Sequence, residues 1–304
     1  MISPENNICV YTMTHGPVCE ILPDYCTPLE LGAELRTDFN YDLRDNIGDD
    51  NISQKDKLYC ELTGLYWLWK NDAHKITGLT HYRRIFPIDK IHVEKVLETH
   101  DIILPLFIHM KISCEEQYIS AHIKLDWEIM CDTLMEMYPE YYASAKRIFN
   151  KKRLIPCNMF IAKRDVIDRY CSWLFPLLFA IEPKLDMSNR SNYQSRVIGF
   201  MAERLFTLWV IHNNLKIKHI PMLSIINKDD TQCDYTDDFT INYLTSIASC
   251  MPYSTWKENS RCIENKTLKK STNDNITKTV AVKIYNSSKL LFYVTSRIYC
   301  KYYS

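Results

Sequence analysis

Short apolar runs punctuate the first 220 residues, at 8–13, 76–80, 101–105, 157–162 and 215–220. Each has the length and composition of a buried strand. Between them lie longer stretches in which apolar residues recur at helical spacing. In 55–70 these are Leu58, Leu62, Leu65, Tyr66 and Trp69, preceded by Ser53 and Asp56 at the spacing of a capping box. Further helices are predicted over 89–98, 165–181 and 199–212. Strand, helix, strand is the grammar of a parallel sheet, so residues 1–226 predict an α/β domain with an open, mostly parallel sheet and flanking helices. The prolines of 23–34 predict an ordered loop. A solvated loop is expected where Asp38, Asp42, Asp45, Asp49 and Asp50 follow one another. Residues 115–137 read as helical, which would put Tyr118, His122 and Asp126 on one face if the helix is continuous.

Beyond residue 226 the pattern loosens into a polar connecting segment, 227–256, and a tail, 257–304. Charge separates the tail from the body. The chain has 37 Lys or Arg and 37 Asp or Glu, yet the tail holds ten of the basic residues and three of the acidic ones, a net of +7, and leaves −7 on the rest. That balance gives no argument for a nucleic-acid partner. Twelve cysteines without a C-x-x-C, mostly inside apolar runs, read as buried free thiols of a reducing compartment. The first residues have neither the basic start nor the apolar core of a signal peptide, and no stretch reaches the roughly 18 apolar residues of a membrane span. A cytoplasmic protein is expected. Six glycines in 304 residues leave little room for a Gly-rich phosphate loop.

The candidate chemistry gathers at 76–86, I-T-G-L-T-H-Y-R-R-I-F. In an open α/β sheet, ligands bind outside the carboxyl ends of the strands, where His81, Tyr82, Arg83 and Arg84 would project together. Guanidinium forks grip two oxygens at once and suit a diphosphate; the alternative is pairing with surface carboxylates. Thr14, His15 and Gly16 form a second strand end facing the same crevice. The Asp-rich loop could bind a metal or sugar hydroxyls.

Eight segments, in order, carry a family resemblance: T-H at 14–15, P-L-E-L-G-A-E at 28–34, G-D-D-N-I-S at 48–53, E-L-T-G-L-Y-W-L-W-K-N at 61–71, G-L-T-H-Y-R-R-I-F at 78–86, C-N-M-F-I at 157–161, Y-C-S-W-L-F at 170–175 and R-V-I-G-F-M-A-E-R-L at 196–205. Together they resemble the bacterial capsular and exopolysaccharide biosynthesis proteins that share the domain of unknown function 4422, generally regarded as glycosyltransferases. The resemblance implies a fold similar to the nucleotide-binding type A glycosyltransferases. It also implies transfer of a sugar, galactofuranose or another hexose, from a nucleotide-diphosphate donor, expected to be a UDP-sugar, to a growing capsular, exopolysaccharide or O-antigen glycan.

On that reading His81, Arg83 and Arg84 hold the donor diphosphate, where negative charge builds as the donor breaks. Thr14, His15, Asp49, Asp50, Asn51 and Tyr82 face the nucleotide or sugar, and Tyr118, His122 and Asn158 the acceptor. The H-Y-R-R segment takes the place of the usual D-x-D, so no metal is expected; the alternative is Mg2+ or Mn2+ on Asp49 and Asp50. Glu203, expected near a helix start whose dipole keeps it ionised, is the first candidate for the base of an inverting transfer, and Asp126 the second. A non-catalytic glycan-assembly or binding protein that keeps the fold is the main alternative. The tail mixes Tyr with Lys and Arg, which suits docking on the inner face of the plasma membrane, where a lipid-linked glycan acceptor would lie.

Overall fold

The computed structural model describes residues 7–18, 22–220, 222–224, 226–227 and 233–234. The basic tail, 257–304, and most of the connecting segment lie outside the described residues. In chain order the strands are β1 (Ile8–Thr14), β2 (Cys26–Glu30), β3 (Ile76–His81), β4 (Arg84–Ile85), β5 (Ile102–Leu104), β6 (Ile108–His109), β7 (Arg153–Leu154), β8 (Phe160–Lys163), β9 (Ile217–His219) and β10 (Leu223–Ser224). The helices are α1 (Asp56–Tyr59), α2 (Leu62–Asn71), α3 (Lys90–Thr99), α4 (Cys114–Ala121), α5 (Lys124–Met137), α6 (Pro139–Phe149), α7 (Arg164–Ile181) and α8 (Val197–His212).

The main sheet runs β2-β1-β3-β8-β5-β9. All of these strands are parallel to one another except β8, which is antiparallel to β3 and β5. The carboxyl ends of the parallel strands therefore share one edge with the beginning of β8. The short strand β4 folds back on β3 at that edge and pairs in turn with β10. Every residue of β1 is buried, as expected of a strand covered on both faces. Helix α7 lies against β3, β8 and α2, and α5, α6, α7 and α8 pack together as a helical layer. The stacked rings of Trp69 and Phe175, 5.7 Å apart, seal α2 to α7. Among the described residues no helix is long and apolar enough to cross a membrane, and Cys9, Cys26, Cys60, Cys114, Cys131, Cys157 and Cys171 are in no disulfide.

Four expectations are corrected by local geometry: the first is the stretch 23–34, expected as a loop, which contains β2, paired in parallel with β1. The helix over 55–70 is broken: α1 ends at Cys60, which adopts φ 53°, and α2 restarts after Glu61. Ser53 is no cap, because its hydroxyl donates to the buried Asp45 carboxylate. The helix over 115–137 breaks at His122 and Ile123, so Tyr118, His122 and Asp126 do not form one helical face.

Gly78 sits where β3 passes β8. A Cβ there would collide with the Phe160 carbonyl and stand 2.8 Å from the Ile161 Cα. Backbone cannot yield as a side-chain tip can. Gly78→Ala is expected to lower stability by about 2 kcal/mol, read as a lower midpoint in urea with an unchanged slope. An unshifted midpoint would mean that the two strands are not packed this closely.

Candidate active site

The H-Y-R-R segment is a tight hairpin. His81 ends β3, Tyr82 and Arg83 make the turn, and Arg84 begins β4 directly opposite His81. Cross-strand partners present their side chains to the same face, so His81 and Arg84 point together while Arg83 lies out on the turn. Its guanidinium covers the Tyr82 ring at 4.9 Å. Both arginines are exposed, and among the described residues neither forms an ion pair. His81 is not the third cation of this group. Burial pushes its pKa down, the Arg84 and Arg196 charges push the same way, and Nε2 donates to the Cys157 carbonyl at 2.7 Å.

That carbonyl belongs to a strained turn. Cys157 and Asn158 have φ of 66° and 49°, two successive non-glycine residues in the left-handed region, each costing about 1–3 kcal/mol. This is why β8 begins at Phe160 and not at Cys157. The turn is gripped from three sides: His81 takes the Cys157 carbonyl, the Cys157 N–H donates to Glu203 Oε1 at 2.7 Å, and Asn158 Nδ2 donates to Glu61 Oε1 at 2.8 Å. Asn158 is buried, and its side-chain amide oxygen has no hydrogen-bond partner among the described residues.

Glu203 lies on a face of α8 that also carries Phe200, with Arg196 one turn earlier at the helix's entry. Its Oε2 accepts from Arg204 Nη1 at 2.9 Å, and its side chain is 22% exposed. Burial pushes the carboxyl pKa up, against the pull of Arg204 and the Cys157 N–H. The helix starts at Val197, so Glu203 lies beyond the first turn, where the dipole acts most; burial, not the dipole, sets its state. Arg204 also donates to Gln117 and covers the fully buried Tyr118 ring at 5.3 Å. His122 stacks on Phe200 at 4.1 Å.

At the neighbouring strand end, Met13 pairs with His81 and the Tyr82 N–H donates to the Met13 carbonyl. Thr14 and His15 therefore reach the same edge. The Thr14 hydroxyl is spent on the Gly16 carbonyl, and the His15 ring meets the Asp56 carboxylate at 2.9 Å. The Asp-rich loop is not brought there. Asp50 accepts from Tyr66 at 2.7 Å and from Lys70 at 3.1 Å, progressively farther along α2 as that helix runs back toward the start of β3. Asp49 is exposed, and Asn51 closes its own turn through Gly48 and Ser53. Asp126 is also engaged elsewhere, in a two-pronged ion pair with Arg190, both contacts 2.7 Å. Among the described residues no three His, Cys, Asp or Glu side chains converge in the manner of metal ligands.

Two site residues escaped the sequence reading. Glu61 reaches Asn158 only because the helix breaks at Cys60. Arg196, exposed at the entry to α8, donates to the Cys60 sulfur at 3.2 Å and acts electrostatically on Glu61. Its place at the head of the 196–205 segment was the one signal available for it.

The mixed, mostly parallel sheet with flanking helices is also the architecture of a solved glycosyltransferase. The structure described as the WbbM bifunctional glycosyltransferase in its apo form superposes with a TM-score of 0.65 at 24% identity, over 84% of this chain. That likeness is one of fold, and this chain spans 57% of the other's length. Residues 9–214 match the family described as Domain of unknown function (DUF4422), and the chain belongs to that family. No curated protein matches the chain.

Proposed function

We propose that this protein is an inverting glycosyltransferase that moves a hexosyl group, galactofuranose or another hexose, from a UDP-sugar to a growing capsular, exopolysaccharide or O-antigen glycan. One observation carries the reading: two exposed guanidinium groups, without carboxylate partners among the described residues, stand at the end of the central strand, and Arg84 acts electrostatically on a carboxyl whose pKa burial raises. The acceptor oxygen attacks the anomeric carbon, the bond from that carbon to the diphosphate breaks, and the acceptor proton passes to Glu203. Arg83 and Arg84 offset the charge that builds on the departing diphosphate. These arginines take the role that Mg2+ or Mn2+ has elsewhere, and the positions of Asp49 and Asp50, away from the hairpin, support that assignment over a metal. The chain works in the cytoplasm, with the basic tail resting on the inner membrane surface near a lipid-linked acceptor.

Arg84→Ala tests the donor half. Losing one hydrogen-bonded cation from a diphosphate should weaken UDP binding about 30-fold, roughly 2 kcal/mol. Calorimetry with UDP, with and without EDTA, reads it. Unchanged affinity in a folded variant removes Arg84 from the donor site, and EDTA-sensitive binding restores the metal.

A further inference from the structure

The crevice has a second wall that the proposed chemistry leaves unused. Tyr193, on the loop before α8, is 54% exposed, an unusual position for a large ring that already has aromatic neighbours. Its centroid lies 5.0 Å from Phe200 and 5.8 Å from His122, with an interplanar angle of 19° to the latter. His122 in turn lies nearly parallel to Phe200. Arg196 stands over Phe200 at 5.6 Å.

Three rings are thus assembled from two distant parts of the chain. Burial holds the pKa of His122 low, assisted by the Arg204 charge, so its ring is a neutral stacking surface near pH 7. The loop that carries Tyr193 is anchored: Arg190 reaches the buried Asp126 carboxylate, and Gln194 Nε2 donates to the Ala121 carbonyl. Phe200 precedes Glu203 by three residues, so ring and carboxyl neighbour one another on the helix surface.

We propose that the exposed Tyr193 ring, backed by His122 and Phe200, is a stacking platform for a hexopyranose ring of the acceptor. A pyranose whose C–H bonds at carbons three, four and five point to one side, as in a galactoside, offers an unbroken apolar face to such rings while its hydroxyls remain free for polar partners. The platform places that sugar one helical turn from Glu203, and Arg196 is positioned to donate to a hydroxyl at its rim. This assignment rests on the glycosyltransferase reading for its role, but not for its geometry.

The test is saturation-transfer NMR on the full chain with methyl β-galactopyranoside as probe, glycerol as a non-ring control, and UDP affinity measured in parallel. The wild-type protein should transfer saturation to the ring C–H protons and not to glycerol. Tyr193→Ala should weaken galactoside binding about 10-fold, Tyr193→Phe should retain it, and UDP affinity should be the same in all three proteins. Galactoside binding that is absent in the wild type, or that survives Tyr193→Ala, overturns the platform. If UDP fails to bind while galactoside binding depends on Tyr193, the platform stands as a sugar site and the donor reading is the one that fails.

Discussion

Glu203→Gln is expected to lower turnover about 1,000-fold while UDP affinity stays within a factor of two or so. The amide keeps the size of the side chain and can still accept the Cys157 N–H, so the turn at Cys157 and Asn158 retains that support. What it loses is the ability to take a proton. The wild-type pH profile should have its acidic limb displaced upward from the ordinary glutamate range, because burial raises the carboxyl and only the ionised form is a base. Stability has the opposite sign. The folded protein holds this proton to higher pH than the unfolded chain, so the wild type loses stability as pH rises from the ordinary glutamate value through the raised one. In the Gln variant that slope should vanish. Near-normal turnover together with a lost slope would make Glu203 a purely structural carboxylate, in keeping with the partners that both its oxygens already have.

Asp126→Ala should act on the fold instead. Asp126 and Arg190 are 2% and 3% exposed, and removing one partner strands the other charge in the interior. A loss of about 3 kcal/mol or more is expected from urea unfolding. Because Arg190 also anchors the loop ending at Arg196, galactoside binding should weaken in the folded fraction while UDP binding persists. If stability is unchanged and turnover collapses, Asp126 is the base and the assignment of Glu203 falls.

Strands β1, β3, β5, β8 and β9 and the helix 197–212 were legible as apolar runs, whereas β2, whose partial burial and proline break the pattern, was read as loop. The direction of β8 was not legible. A four-residue apolar strand reads the same in either sense, and only its neighbours β3 and β5 decide it. That direction places Cys157 and Asn158 at the edge that carries the arginine hairpin, so the sequence offered Asn158 through a family resemblance without a physical reason for it. Glu61 was hidden for a different cause. The left-handed Cys60 that breaks the helix is a position where local propensity favours glycine or asparagine, and tertiary contacts override it. Asp126 was misplaced because a four-residue spacing has meaning only while the helix continues, and here it ends at His122. His81 was read as a diphosphate-holding residue beside two arginines, whereas burial makes it a neutral donor whose Nε2 is already given to the Cys157 carbonyl.

The strained dipeptide at Cys157 has a consequence for how the two halves of the crevice communicate. The Cys157 carbonyl accepts from His81, at the end of the strand that leads into the arginine hairpin, and the N–H of the same residue donates to Glu203 on α8. A protonated Glu203 is a weaker acceptor for that N–H, and the carbonyl of the same residue holds His81 at the foot of the arginine hairpin. One residue with a left-handed φ thus ties the Glu203 carboxyl to the foot of the arginine hairpin.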